Sequence, residues 1–270
     1  MARRRSRRNG PSAGAVIGAV SLIVCILGAG GGLLYLWSKS GTGALDADLC
    51  SVADGPTSVT AVLLDVTDPI SDITKVDLQR NFQRIVSTVE KGGLVEVYSL
   101  SDELGTLKRT YRGCNPGDGA SADQLTSNPK RIQERWDKAF NRPLKEIEDQ
   151  MGAAAEGKQS PIMAGVQRIV IESFSDLRNE NKPKTLIVAS DMIEHTASFS
   201  IYKSGVDYAA FEKSDAKERF RTPLDGITFD VLAFDRESPL ELARLPEFWL
   251  QWVRSNGGEW GGYKRLVGTK

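Results

Sequence analysis

A short apolar run that stops at a cluster of oxygen-bearing side chains constrains this chain more than any other stretch. Residues 57–71 read TSVTAVLLDVTDPIS, in which aliphatic and β-branched residues give way abruptly to Asp65, Thr67, Asp68 and Ser71. An unbroken apolar run of this length predicts a strand buried on both faces of a parallel sheet. Ligands of open α/β sheets bind just beyond the carboxyl ends of the strands, so the pattern predicts a site at Asp65.

The rest of the chain alternates between strand and helix patterns. Residues 185–191, TLIVASD, repeat the opening pattern and stop at Ser190 and Asp191. A parallel strand at residues 94–100 is predicted after a helix that carries Leu78 and Phe82, so the chain runs β, α, β. The sequence therefore predicts a three-layer α/β/α, Rossmann-like domain with a mostly parallel central sheet. Further elements are predicted as an antiparallel edge strand at 107–111, helices at 129–151, from Ser160, at 206–217 and at 240–254, a strand at 227–234 and an edge strand within 258–270.

An uncharged segment near the N-terminus predicts one transmembrane helix before this domain. No charged residue lies between Ser12 and Ser38, and about 20 apolar residues suffice to cross a bilayer. Five arginines precede the segment and Lys39 follows it, so the positive-inside rule places the N-terminus in the cytoplasm. The predicted organisation is a basic tail at 1–12, an anchor at 13–37, a linker at 38–49 and the α/β domain at 50–270. The domain would then be periplasmic or extracellular, on a single-pass inner (plasma) membrane protein.

A cleavable signal peptide is the alternative for this segment, because it also has a basic region before an apolar one. The apolar stretch is longer than the core of about 7–15 residues that such peptides have, and no A-x-A site follows it. A retained anchor is therefore favoured.

Charge and cysteine content narrow the class of protein. The chain has 35 basic and 35 acidic residues. The charged residues among its first 40 are all basic, so the remainder of the chain, which includes the domain, is mildly acidic. A nucleic-acid partner is not expected for such a surface. Cys50 and Cys114 are the cysteines outside the apolar segment, and an even number in an oxidising compartment predicts a disulfide between them.

Three pieces of the predicted site meet at one edge of the sheet. Asp65 and Thr67 follow the first strand, Ser160 starts a helix, and Asp191 follows a later strand. This order resembles the von Willebrand factor A-like family, whose metal-ion-dependent adhesion site uses Asp-x-Ser/Thr-x-Ser after the first strand, a hydroxyl residue before a middle helix and an aspartate after the fourth strand. The resemblance implies a vWA-like domain whose site holds Mg²⁺ or Mn²⁺, which prefer such oxygen ligands. It also implies that an acidic side chain of a protein partner completes the metal coordination.

The sequence departs from the family pattern at Pro69, which stands where the family has its second serine and has no hydroxyl. Two replacements are open, namely Ser71 two residues later and the carboxylate of Asp68. The resemblance then describes a degenerate metal site with Asp65, Thr67, Ser71, Ser160 and Asp191 as ligands. The alternative role of the residues around Pro69 is turn and capping chemistry.

Three functions follow from these patterns. The favoured one is a membrane-anchored, extracytoplasmic protein-binding module that is not an enzyme. Its binding of a protein could depend on a divalent ion or occur without one. The alternatives are a metal-assisted hydrolase of phosphate esters and a metal-free scaffold subunit of an envelope complex. The sequence has no phosphate-binding glycine loop, nucleophile elbow or metal-binding histidine pair, and these absences argue against an enzyme. His195, the one histidine, is expected to be structural.

Overall fold

The structure is a computed structural model that describes residues 13–39, 44–65, 67, 69–100, 106–120, 128–150, 157–236 and 240–267. The described residues divide into two compact units. The first contains an N-terminal helix, and the second contains the α/β domain. Asp68, a predicted alternative ligand, lies outside the described residues, as does the basic tail at 1–12.

The first unit contains helix α1, Ala13–Lys39, which is 27 residues long. Several of its apolar side chains are exposed, among them Val20, Leu22, Ile23, Val24, Ile26, Leu27, Leu33 and Leu34. Among the residues that the structure describes, no helix qualifies as a membrane span by its length and mean hydropathy.

The second unit is built on a mostly parallel sheet, as predicted. Six strands of the described residues pair in the order β3-β2-β1-β4-β5-β6. The edge strand β3 is antiparallel to β2, and the other neighbouring pairs are parallel. The strands are β1 Val59–Asp65, β2 Leu94–Leu100, β3 Leu107–Cys114, β4 Lys184–Ser190, β5 Ile227–Phe234 and β6 Glu259–Leu266.

Helices cover both faces of this sheet, because the central strands are apolar on both sides. In β1, Leu63 packs into the core on one face while Val62 and Leu64 pack into the core on the other. The first core is completed mainly by α5 and α9, and the second by α2 and the helical segment 129–150. The three-layer α/β/α prediction is confirmed.

The helices of this unit are α2 Asp72–Thr88, α3 Pro129–Trp136, α4 Arg142–Gln150, α5 Ile162–Ile169, α6 Ile201–Ser204, α7 Tyr208–Glu212, α8 Ala216–Arg219 and α9 Leu245–Ser255, with π-helical turns at Asp137–Asn141 and Val170–Phe174.

One predicted helix differs from the observed structure. Residues 206–217 are not one helix, because they contain α7 and the first residues of α8, two short helices separated at residues 213–215. Gly205 ends α6 with a φ of 71°, a left-handed conformation that suits glycine. Asp207 then caps α7 by accepting hydrogen bonds from two backbone N–H groups, those of Ala209 and Ala210.

The segment before β1 is attached to the edge strand β3. A disulfide joins Cys50 to Cys114, which confirms the predicted pairing. The backbone N–H of Cys114 donates to the carbonyl of Asp48 at 2.7 Å, and the Nε of Arg112 donates to Asp48 Oδ2 at 2.8 Å. The last residues of the predicted linker therefore lie against the domain.

Candidate functional site

The candidate site lies where β1 and β4 end side by side. These strands pair in parallel from Val59↔Lys184 to Leu64↔Ala189, so the next residues, Asp65 and Ser190, are neighbours. The Oγ of Ser190 donates to Asp65 Oδ2 at 2.8 Å. The structure thus brings the ends of the two apolar runs together at the carboxyl edge of the sheet, where α/β folds bind ligands.

Asp65 is a buried carboxylate that four donors of the described residues satisfy. Its Oδ1 accepts from the backbone N–H of Thr67 at 3.1 Å and from the hydroxyl of Thr67 at 2.6 Å. Its Oδ2 accepts from Ser160 at 2.9 Å as well as from Ser190. The side chains of Asp65 and Thr67 are almost inaccessible to solvent, and these bonds offset the cost of burying the charge.

Ser160 is held in place by the backbone of His195. The N–H of each residue donates to the carbonyl of the other at 3.0 Å, which forms a short antiparallel bridge. The imidazole of His195 shares a hydrogen bond with the hydroxyl of Ser200 at 2.8 Å and packs edge-on against Tyr202. These contacts give His195 a positioning role for Ser160, the structural role expected from the sequence.

Asp191 lies beside this cluster and is paired with an arginine. Its Oδ1 accepts from the N–H of Ile193 at 2.9 Å, and its Oδ2 lies 2.6 Å from Nη1 of Arg236. Burial raises the pKa of Asp191 to about 6, and the nearby charge of Asp65 adds to the rise. The Ile193 N–H and the Arg236 guanidinium oppose this increase in the pKa.

The turn that presents Asp191 contains an unusual backbone conformation. Met192 has a φ of 63°, in the left-handed region that non-glycine residues seldom occupy. Its N–H donates to Ser190 Oγ at 2.9 Å, and its carbonyl accepts from the indole of Trp249 at the same distance. Both contacts fix the turn, and strained residues of this kind are found mainly at functional sites.

Glu194 is a fully buried carboxyl group beneath the site that sequence reasoning missed. Its Oε2 accepts from the backbone N–H of Met163 at 2.9 Å, while its Oε1 has no hydrogen-bond partner among the described residues. Burial raises the pKa of Glu194 to about 8, and the charge of Asp65 contributes, against the opposing effect of the amides at the start of α5. Glu194 therefore caps α5, whose preceding residue Pro161 provides no side-chain cap.

The predicted ligand Ser71 serves the helix that follows it. Its Oγ accepts from the N–H of Thr74 at 3.2 Å and donates to the hydroxyl of Thr74 at 3.0 Å. Ser71 is thus the N-cap of α2, which begins two residues before Thr74. This is the capping role that the sequence left open for the residues around Pro69.

A small cavity opens beside the two aspartates. Its volume is about 20 Å³, which is room for one water molecule or ion. The residues that line it are Asp65, Pro69, Ile70, Asp191, Phe234, Asp235 and Arg236. Arg236 and Ser190 join the site although sequence reasoning had not assigned them to it.

The oxygens of this cluster fit a hard divalent ion in kind, but the arginine does not. Asp65, Thr67, Ser160 and Asp191 offer carboxylate and hydroxyl oxygens, the ligands that Mg²⁺ and Mn²⁺ prefer. Arg236 already brings a positive charge to Asp191. Within the described part of the chain, no group of three or more His, Cys, Asp or Glu side chains is placed to hold a metal ion.

The strand order, the helical layers and this oxygen cluster define the class of the protein. An antiparallel edge strand on an otherwise parallel sheet, with Asp-x-Thr after β1 and an aspartate after β4, is the arrangement of a von Willebrand factor A-like domain. The second unit has the fold of a vWA-like domain, which confirms the resemblance at the level of the fold.

Among known proteins, solved structures with low sequence identity to this chain are similar to it. No protein-family description matches the sequence, and no curated protein is similar to it. The conserved hypothetical protein BatB from Bacteroides thetaiotaomicron has 16% identity and a TM-score of 0.40, over 78% of this chain and 91% of that chain. The ArnB paralog VWA2 from Sulfolobus acidocaldarius has 12% identity and a TM-score of 0.43, over 78% of this chain and 42% of that chain.

A third solved structure contains a metal ion. Proximal thread matrix protein 1 from the mussel byssus, with a zinc-occupied MIDAS motif, has 12% identity and a TM-score of 0.36, over 74% of this chain and 48% of that chain. At such values these likenesses carry no conclusion about this chain, whose class follows from its own topology and site.

Proposed function

We propose that this protein is a membrane-tethered, extracytoplasmic vWA-like module that binds another protein at the carboxyl edge of its sheet. The observation that carries the proposal is the buried oxygen cluster of Asp65, Thr67, Ser160 and Asp191 beside a small open cavity. A buried polar cluster of this kind costs free energy to assemble, and its position matches the ligand-binding edge of α/β folds.

An exposed apolar surface next to the cavity supports a protein partner. We name as the apolar rim Ile70, Ile73, Val76 and Val267. Ile70 lines the cavity, and the exposed fractions of Ile73, Val76 and Val267 are 61%, 45% and 54%. The hydroxyl of Thr74 donates to the carbonyl of Leu266 at 3.4 Å, so the start of α2 and the end of β6 lie together. Exposed apolar patches that border polar residues mark protein interaction sites.

The chain enters the domain at the end of the strands opposite the site. It enters β1 at Val59, the amino end of the strand, whereas the site lies beyond Asp65 at its carboxyl end. Asp48 and Cys50 are fixed to β3 at Arg112 and Cys114, which belong to the end of β3 paired with the start of β2. The proposed partner surface is therefore separate from the segment that enters the domain.

The tether itself is proposed to be the segment 13–37, with the N-terminus in the cytoplasm. Supporting this are the 27-residue helix α1, which is uncharged before Lys39, and its exposed apolar side chains. The five arginines before it favour the cytoplasmic placement of the N-terminus. The Cys50–Cys114 disulfide supports an oxidising compartment, periplasmic or extracellular, for the domain.

We also propose that the binding site can hold a divalent ion. Mg²⁺ or Mn²⁺ would be held by oxygens of Asp65, Thr67, Ser160 and Asp191, directly or through water, and an acidic side chain of the partner would complete its coordination. Ser71 is proposed as a ligand only if its hydroxyl leaves Thr74. The metal-free scaffold subunit is the second candidate function, and the Arg236–Asp191 pair favours it because Arg236 neutralises Asp191 without an ion.

Site-specific photocrosslinking in membranes tests the proposed binding surface. A photoreactive residue is placed in the full chain at Ile73 or at Val267, and as a control at Leu177, which is 85% exposed outside the apolar rim. We expect a discrete protein crosslink from Ile73 and Val267 and none from Leu177. Equal crosslinking from all three positions, or none from the rim, would contradict the proposed surface.

A further inference from the structure

We propose that Arg236 is the internal cation of this site, and that a divalent ion binds only after its guanidinium has left Asp191. This inference rests on the proposed metal step and specifies how that step is controlled. The site would then have a closed form, in which Arg236 neutralises Asp191, and an open form that accepts the ion.

The contact between Arg236 and Asp191 is short and partly shielded from water. Nη1 of Arg236 lies 2.6 Å from Asp191 Oδ2, and the exposed fractions of the two side chains are 35% and 9%. Both residues line the cavity together with Asp65. A charge-assisted bond in such surroundings is stronger than a surface ion pair, because solvent screens it less.

The charges around the cavity explain why a cation is needed there. Asp65 and Asp191 are both buried, and the charge of Asp65 makes ionisation of Asp191 harder. Asp235 also lines the cavity, but its carboxylate is paired at 2.7 Å with Arg265, whose side chain is 67% exposed. Arg236 thus acts on the buried carboxylates, while Arg265 acts on the exposed one.

The guanidinium and a metal ion exclude each other for reasons of space and charge. The cavity has a volume of about 20 Å³, enough for one small species. An ion such as Mg²⁺ needs its ligand oxygens at roughly 2.0–2.1 Å, and Asp191 Oδ2 is already in contact with Nη1. Two adjacent cations on one carboxylate would also repel each other, so binding of the ion requires that Arg236 moves away.

Arg236 is placed so that it can move without disturbing the core. It follows β5 by two residues, and its side chain is partly exposed. Asp65 retains its hydrogen bonds from Thr67, Ser160 and Ser190 when Arg236 leaves, because none of them involves the arginine. The apparent affinity for an ion is then reduced by the fraction of molecules in the closed form.

Manganese binding to the full chain, followed by electron paramagnetic resonance of the free ion, tests the proposal. The variant Arg236→Gln removes the competing cation, and Arg265→Gln is the matched control because it removes a neighbouring arginine outside the buried pair. We expect Arg236→Gln to bind one Mn²⁺ about tenfold more tightly than the parent chain, and Arg265→Gln to match the parent. Adding Asp191→Asn to Arg236→Gln should abolish the gain.

Equal Mn²⁺ affinity in the parent chain and Arg236→Gln would overturn the proposal, as would an equal gain in Arg265→Gln. Arg236→Lys keeps a positive charge and serves if the glutamine variant does not fold. We expect this variant to bind Mn²⁺ severalfold more tightly than the parent, because lysine lacks the planar fork of arginine and holds Asp191 less firmly. Unchanged Mn²⁺ affinity in Arg236→Lys would also contradict the proposal. If the apolar rim crosslinks to a protein but Arg236→Gln shows no gain in Mn²⁺ affinity, only the role of Arg236 is rejected. If Arg236→Gln shows the gain but the rim gives no crosslink, only the protein-binding surface is rejected.

Discussion

The hydroxyl of Ser160 donates to Asp65 Oδ2 at 2.9 Å, a contact between residues 95 positions apart in the sequence. It joins the start of α5 to the end of β1. The same carboxylate oxygen accepts from Ser190. Asp65 therefore connects three separate parts of the chain, and the integrity of the site can be measured as stability.

Ser160→Ala is expected to destabilise the domain by about 1–3 kcal/mol, because a buried carboxylate loses one charge-assisted donor. Ser87→Ala is the control, since the hydroxyl of Ser87 is exposed and bonds to the carbonyl of Arg84 in its own helix at 2.7 Å. Chemical denaturation of both variants measures the difference. Equal stability of the two variants would show that Asp65 does not need the Ser160 hydroxyl.

Arg112→Ala is expected to destabilise the domain by about 3 kcal/mol or more, because it leaves a buried carboxylate without its main partner. Nη1 of Arg112 lies 2.6 Å from Glu96, whose side chain is fully buried. Arg168→Ala breaks an ion pair with Glu172 whose side chains are 50% and 34% exposed, and is expected to cost less than about 1 kcal/mol. Urea denaturation in high and low salt distinguishes the two pairs, and a larger loss in Arg168→Ala would contradict this ranking.

The stability of the domain should fall as the pH rises through about 8, because of Glu194. Its pKa is about 8 in the folded protein against an ordinary value of 4.5, so the folded state binds more protons between these values. The contribution is fully present below pH 4.5 and is lost as the pH passes the folded pKa. Glu194→Gln, which cannot ionise, should flatten this dependence, whereas Glu90→Gln, at an exposed position, should not. Denaturation midpoints from pH 5 to pH 9 test it, and parallel curves for the parent and Glu194→Gln would exclude the effect.

Reduction of the Cys50–Cys114 disulfide should lower the free energy of unfolding by about 4 kcal/mol, because the bond closes a loop with a sequence separation of 64. Alkylation of the denatured, unreduced protein should modify Cys25 and leave the paired cysteines unmodified. Cys25→Ser is the control and should unfold with the same midpoint as the parent. Free thiols at Cys50 and Cys114 in protein from membranes would contradict the pairing.

The sheet could be predicted from the sequence because strands that are buried on both faces appear as continuous apolar runs. In a chain that otherwise shows helical periods, the apolar runs of β1 and β4 indicate strands that are covered on both sides. The edge strand β3 was predictable for a different reason, since it follows β2 after six residues, and so short a connection favours antiparallel pairing. The break between α7 and α8 was not, because residues 213–215 between them contain no glycine or proline to mark a helix end in the sequence.

The site was predictable only where strand ends determine it. Asp65 and Asp191 follow from the ends of parallel neighbours, whereas Arg236 reaches Asp191 through the path of a loop. Ser190 had a signal in the sequence, because it stands between the apolar run 185–189 and Asp191. Glu194 had none, since its burial depends on how the turn at Met192 directs the following residues.

The attachment of the segment before β1 also determines how the domain responds to mechanical force. Cys50 is bonded covalently to Cys114 at the end of β3, so tension applied from the N-terminal side passes into the edge strand before it reaches Val59. The ion pair between Asp48 and Arg112 lies on the same path and would share the load. Because Cys50 is joined both to Cys114 and, along the chain, to Val59, tension from the N-terminal side is shared between the edge strand and the central strand that carries Asp65.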